Sequence, residues 1–236
     1  LNADTLPYSL YYPEGFANKS NNTFIPMING NDGSVRVVII AHYEGNAGED
    51  VLYDSATEVV GGVIGGHRRF GYTLTNPTLY AAGDETRVGS QFAGRDGVLK
   101  KTPYSIEIRS SLPIGATFSH YDFNISTGEA FTSQTSTVWT FGDAARSATE
   151  SDFLLFYNPN NAPTKVTLTI YPQEGNASQQ VLTSTFTVQA ERRGGWNLKK
   201  FIGLTNGKYS LKLESDLPVV AALTHYLSLI HISEPT

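Results

Sequence analysis

Hydrophobic and polar positions alternate in short runs along this chain, and two of those runs are copies of one unit. Residues 104–121 read YSIEIRSSLPIGATFSHY, and residues 209–226 read YSLKLESDLPVVAALTHY. Tyr104, Ile106 and Ile108 fall on one face of an extended chain, with Ser105, Glu107 and Arg109 on the other; Tyr209, Leu211 and Leu213 oppose Ser210, Lys212 and Glu214 in the same way. That period of two predicts a half-buried strand. Leu-Pro is expected to break it, because proline gives no N–H to a ladder, and a second strand runs out to His-Tyr.

The same patterning predicts strands over residues 9–12 (SLYY) and 23–29 (TFIPMIN), where Pro26 suggests an edge or a bulge. Residues 35–43 (VRVVIIAHY) are almost continuously apolar, as in a central strand covered on both faces. A turn at 30–33, a weaker strand region over 51–64 and a strand over 67–73 (HRRFGYT) follow. In the second copy the corresponding runs are 137–141, 153–158, 165–171, 184–189 and 191–198, with Val166, Leu168 and Ile170 inward. About seven strands per copy suit an immunoglobulin-like sandwich.

The prediction is therefore an all-β chain of two tandem immunoglobulin-like β-sandwich domains, residues 1–122 and 135–226, joined by a polar linker at 123–134. An insertion at 76–102, of Gly, Asp and Arg character, has no counterpart in the second copy, where 201–207 makes the same connection. Residues 227–236, LSLIHISEPT, resemble the translation of a transposase adapter used for sequencing libraries. They are set aside as an artefact together with His231, and the natural chain is expected to continue beyond Tyr226. The start at Leu1 reads as a mature or truncated end.

Composition agrees with this reading. With 236 residues, the chain can form two sandwiches of about a hundred residues each. Its 22 Gly, 11 Pro, 13 Tyr and 12 Phe supply turns and aromatic strand residues. A net charge of −5 with no basic run removes nucleic acid and anionic membranes as expected partners. The absence of cysteine removes disulfides, thiolate catalysis and cysteine zinc sites. No apolar run reaches the length of a bilayer span.

Asn29, Arg68, Arg69, Ser110, Pro113 and His120 recur as Asn158, Arg192, Arg193, Ser215, Pro218 and His225. This order resembles a set of bacterial tandem β-sandwich repeats of unknown function, which in turn are similar to the small sandwich domains of the sensory rhodopsin transducer family. The resemblance implies an exported or cell-surface array of non-catalytic modules, or more remotely a soluble protein-binding or sugar-binding sandwich. The transducer domains are single, whereas this chain is a tandem.

Candidate chemistry is sparse. His120 and His225 hold equivalent places in separate copies, so they read as strand histidines bonded to neighbouring backbone rather than as a shared metal or base. His42 and His67 stand alone, without His-Glu-x-x-His spacing, and no metal site or cofactor is expected. There is no Gly-x-Ser-x-Gly, and acids such as Asp143 and Glu150 are scattered, so no catalytic residue and no enzyme activity are expected. Arg68-Arg69 and Arg192-Arg193, each just ahead of Phe70 or Trp196, are either exposed strand ends with one arginine on each face, or contacts for an anion or sugar acid. Asn29-x-Asn31-Asp32 and Asn158-x-Asn160-Asn161 are either turns or oxygen donors for calcium. Asn18, Asn21, Asn124 and Asn176 each open a glycosylation sequon.

The aromatics flanking the insertion, Tyr72, Tyr80, Phe92 and Tyr104, are either core residues or an exposed stacking face for polysaccharide. The expected function is a structural or interaction module of an exported bacterial surface protein, presenting its insertion loop. The alternative is a carbohydrate-binding module attached to an adhesin or a glycan-active enzyme. Candidate binding residues are Arg68, Arg69, Tyr72, Tyr80, Phe92, Arg192, Arg193 and Trp196. Expected partners are polysaccharide or other surface proteins, with self-association through open edge strands.

Overall fold

The computed structural model describes residues 5–57, 63–92, 94–122, 125–174 and 180–227. The chain divides into two compact units, residues 1–134 and 135–236, and both are built almost wholly of antiparallel strands.

In the first unit the strands are β1 (Tyr8–Tyr12), β2 (Asn22–Asn29), β3 (Val37–Tyr43), β4 (Glu49–Asp54), β5 (Arg68–Thr75), β6 (Arg87–Gly89), β7 (Asp96–Leu99), β8 (Tyr104–Ser110), β9 (Gly115–Asp122) and β10 (Ile125–Ala130). One sheet has the order β1-β8-β3-β4, a second has the order β10-β9-β2-β5, and β6 pairs with β7. The sheets share one core, in which Ile25, Met27, Tyr72 and Leu74 meet Val37, Ile39, Tyr43, Ile106 and Ile108. Burying each such aliphatic side chain contributes about 1.5–3 kcal/mol before entropy is counted. β3 is central and buried at every position. Its odd residues face the shared core, while Val38 and Ile40 meet Leu6 on the opposite face.

The second unit comprises β11 (Ser136–Arg146), β12 (Glu150–Asn158), β13 (Thr164–Pro172), β14 (Leu182–Val188), β15 (Arg192–Asn197) and β16 (Gly207–Leu227). The order is β14-β13-β16-β11-β12-β15, with β16 also pairing to β12. Val166, Leu168 and Ile170 point into its core with Leu154, Phe156, Leu211 and Leu213, as their alternation predicts.

Register makes the repeat explicit. Val37 opposes Ser110 as Val166 opposes Ser215; Ile25 opposes Tyr72 as Leu154 opposes Trp196; Thr23 opposes His120 as Asp152 opposes His225.

Five expectations are corrected. Leu217-Pro218 does not interrupt its strand: β16 is continuous, because pairing with β13 ends at Ser215 and pairing with β12 begins at Val220. Proline thus falls between two ladders, where no N–H is required. Pro26 is on neither an edge nor a bulge, since β2 lies between β9 and β5; it occupies the stretch between Phe24 and Met27 where the ladder to β9 lapses. The stretch expected as a linker contains β10, which pairs with β9 from Ile125 to Ala130. The insertion is packed rather than presented: helix α1 (Pro77–Ala82), capped by the Asn76 side chain, precedes β6 and β7, whose Val88 and Val98 join the core. The expected strand region over 51–64 is shorter, with β4 ending at Asp54; residues 58–62, and the adapter-like residues 228–236, lie outside the described residues.

Candidate functional site

The residues that recur between the units converge on a turn lock. Asn29 is fully buried at the end of β2, and its Oδ1 accepts from the backbone N–H of Asn31 at 3.0 Å and from its side-chain amide at 2.8 Å. Its own amide donates to the carbonyls of Gly33, Ile64 and Gly65 at 2.8, 3.0 and 3.1 Å. Asn158 repeats this with Asn160 at 3.1 and 2.7 Å, and donates to Ala162 and Gln189 at 2.8 and 3.0 Å. These amides are therefore engaged in closing turns, and each side-chain oxygen accepts two hydrogen bonds. Ser110 Oγ donates to Leu112 at 2.8 Å and Ser215 Oγ to Leu217 at 2.7 Å, fixing the approach to each proline.

The paired arginines sit beside the same lock. Arg68 opposes Asn29 and Arg192 opposes Asn158 in register. The residue before each pair, His67 or Glu191, adopts a left-handed φ of 52° or 53°, and its N–H reaches the carbonyl of Asn31 or Asn160 at 3.2 Å. Arg68 and Arg69, consecutive in β5 and so directed to opposite faces, are both exposed at the strand end, whereas Arg193 is buried and Arg192 half-buried.

His120 bonds the Thr23 hydroxyl at 2.9 Å rather than backbone, and His225 Nδ1 lies 3.0 Å from the buried carboxylate of Asp152. The two histidines are thus equivalent cross-strand partners in separate units. Among the described residues no group of three or more His, Asp or Glu is arranged to hold a metal ion.

The aromatic candidates do not form an exposed plane. Tyr72 and Tyr104 are 1% and 0% exposed. Phe92 stacks on Tyr53 and Tyr72, with centroids 5.2 and 6.0 Å apart. Tyr80 is half-buried under the Lys100 ammonium, 4.3 Å from its ring centroid. Trp196 packs against Phe156 at 5.2 Å and Phe186 at 6.2 Å. The correction has a simple cause: Phe70, Tyr72 and Leu74 share the parity of the core face of β5. The insertion is fastened to the first sheet by Arg87, which pairs with Asp50 at 2.5 Å, and by Tyr43, whose hydroxyl donates to Asp50 at 2.7 Å and accepts from Leu99 N–H at 3.1 Å. Burial and that carboxylate push the Tyr43 phenol upward.

Sequence reasoning missed a buried ionic cluster on the outer side of β3 and β8. His42 is fully buried, with Nε2 3.0 Å from Glu107 and Nδ1 3.2 Å from Glu49; Arg109 grips Glu107 at 2.8 and 3.1 Å. Burial alone would push the Glu107 carboxyl up, but hydrogen bonds from His42 and Arg109 outweigh it and hold it at about 2. Burial also opposes charge on His42, and its bonds to Glu107 and Glu49 outweigh that and raise it. The signal was present in the sequence as a histidine at the end of an apolar central strand. The second unit has Lys212 and Glu214 at the places of Glu107 and Arg109, a pair of reversed sign at 2.8 Å and more exposed.

Of the sequons, Asn21 is 1% exposed with its amide bonded to Phe16 at 2.7 Å, and Asn18 Oδ1 closes a turn by accepting from the Ser20 N–H at 2.8 Å. Asn124 and Asn176 lie outside the described residues. Edges of the first unit are partly covered: Gln91 accepts from Thr73 N–H on β5 at 2.7 Å, and Tyr11 on β1 exchanges backbone bonds of 2.8 and 3.0 Å with Thr132. No helix among the described residues is long and apolar enough to cross a membrane.

No protein-family model matches the chain, and no curated protein matches it in sequence. Among solved structures it is similar to the Anabaena sensory rhodopsin transducer, at 16% identity and a TM-score of 0.33 over 39% of this chain and 97% of that one. It is also similar to a Thermotoga maritima protein, at 15% identity and a TM-score of 0.37 over 53% of this chain and 93% of that one.

Proposed function

We propose that the chain is a tandem of immunoglobulin-like sandwiches serving as a non-catalytic structural and interaction module of an exported bacterial surface protein. The observation that carries this reading is where the repeated residues go. Asn29, Asn31, Ser110 and Pro113, and their equivalents Asn158, Asn160, Ser215 and Pro218, are joined in turn locks inside each unit. A duplicated catalytic or ligand site would instead converge its repeated polar groups on a cleft. The seven strand positions common to both units, with β16 serving two of them, support the immunoglobulin-like description.

The test is to stretch the chain from its two ends while assaying it against hydrolysable glycans, esters and peptides. A spacer gives two separate unfolding events and no turnover. Turnover abolished by a single substitution that leaves unfolding unchanged would overturn the reading.

A further inference from the structure

At one end of the second sheet of the first unit, the strands open into a shallow groove. It is lined by Asn22 and Phe24 of β2, by Thr73, Thr75 and the adjoining Asn76 at the end of β5, and by Tyr121 of β9. Among the described residues no Asp, Glu, Lys, Arg or His contributes to the lining. The rings of Phe24 and Tyr121 are parallel to within 4°, with centroids 5.7 Å apart, and Tyr121 is 43% exposed.

Thr75 is fully buried, and its hydroxyl has no hydrogen-bond partner among the described residues. Its register neighbour Thr23 does have one, His120 at 2.9 Å. Few buried hydroxyls in a native fold are left unpaired, and an external donor or acceptor is the ordinary remedy. Asn76 uses its side-chain oxygen to cap α1 through Leu79 N–H at 2.8 Å, which leaves its amide hydrogens as donors at the rim.

We propose that this groove binds an uncharged saccharide. The C–H face of a sugar ring lies against Phe24 and Tyr121, and a sugar hydroxyl pairs with Thr75 while the amides of Asn22 and Asn76 bond its neighbours. Hydroxyls and amides both donate and accept, which suits a polyhydroxylated ligand, and the uncharged lining disfavours an anion or a cation. In the second unit Phe153 holds the place of Phe24, but the chain after β15 continues as Leu198-Lys199-Lys200, so the uncharged lining is not repeated. The inference goes beyond the spacer reading, which stands if the groove proves empty of ligand.

Calorimetric titration of the full chain with neutral gluco-, manno-, galacto-, xylo- and chito-oligosaccharides tests it. One of these binds at a single site. Tyr121→Ala then weakens binding about three- to tenfold without lowering the unfolding temperature, and Thr75→Val weakens it about fivefold. Tyr171→Ala, which removes a ring 40% exposed in the second unit, leaves binding unchanged. Absence of binding across the series, or binding that survives Tyr121→Ala, overturns the proposal.

Discussion

Asn31 donates its side-chain amide to the carbonyl of Pro113 at 2.7 Å, tying the turn after β2 to the proline corner between β8 and β9. Asn160 does the same for Pro218 at 2.8 Å, in a unit that shares few of the first unit's surface residues. A geometry kept through duplication while the surface diverged marks what each fold requires. Asn29→Ala and Asn158→Ala, which remove the buried amide behind each tie, should each cost about 2–4 kcal/mol in urea unfolding.

The buried cluster gives the first unit a pH window. Glu107 is held below its ordinary value of 4.5, so its contribution is complete above that pH and is lost as the pH falls toward 2. His42 is held above its ordinary 6.5, so its contribution is complete below that pH and is lost as the pH rises through the raised value. Stability from the pair is therefore greatest between 4.5 and 6.5. Unfolding midpoints across pH should show that maximum, and Glu107→Gln should flatten it and cost about 3–5 kcal/mol by leaving buried cations without their carboxylate.

The reversed pair in the second unit should behave differently. Lys212 and Glu214 are 35% and 46% exposed, so water screens them. Lys212→Ala should leave the thermal midpoint unchanged within error; a loss comparable to that of Glu107→Gln would contradict the contrast drawn from burial.

Phe92 offers a direct check on the corrected role of the insertion. Its stacking on Tyr53 and Tyr72 predicts that Phe92→Ala costs about 2–4 kcal/mol of stability. Saccharide affinity, if the groove binds as proposed, should be unaffected by the same substitution in calorimetry.

His67 occupies a left-handed conformation that costs a side-chain-bearing residue about 1 kcal/mol. Its ring pairs with Asp32 in an exposed contact of 2.9 Å, which is worth little. His67→Gly should therefore be neutral or stabilising by about 0.5 kcal/mol in the same unfolding assay.

Much of the architecture was legible because alternation survives where one strand face is buried, as in Val166, Leu168 and Ile170. It failed where pairing rather than patterning makes the strand. Ile125–Ala130 reads ISTGEA, too polar for a period of two, yet β9 supplies its ladder. Pro218 misled because composition says nothing about where one ladder ends and the next begins. The site was less legible. An aromatic's identity does not reveal its face, although the parity of Phe70, Tyr72 and Leu74 did contain the answer. The groove joins residues from three strand ends, separated by up to 99 positions between Asn22 and Tyr121, and only register brings them together.

Both tryptophans, Trp139 and Trp196, lie in the second unit, so their fluorescence reports that unit while circular dichroism reports both. Urea unfolding of the full chain followed by the two signals therefore tests the claim of two autonomous modules. Asn29→Ala should shift part of the dichroism transition and leave the fluorescence transition in place, and Asn158→Ala should shift the fluorescence transition. If Asn29→Ala moves the tryptophan transition as far as Asn158→Ala does, the units are one cooperative fold and the modular account is wrong.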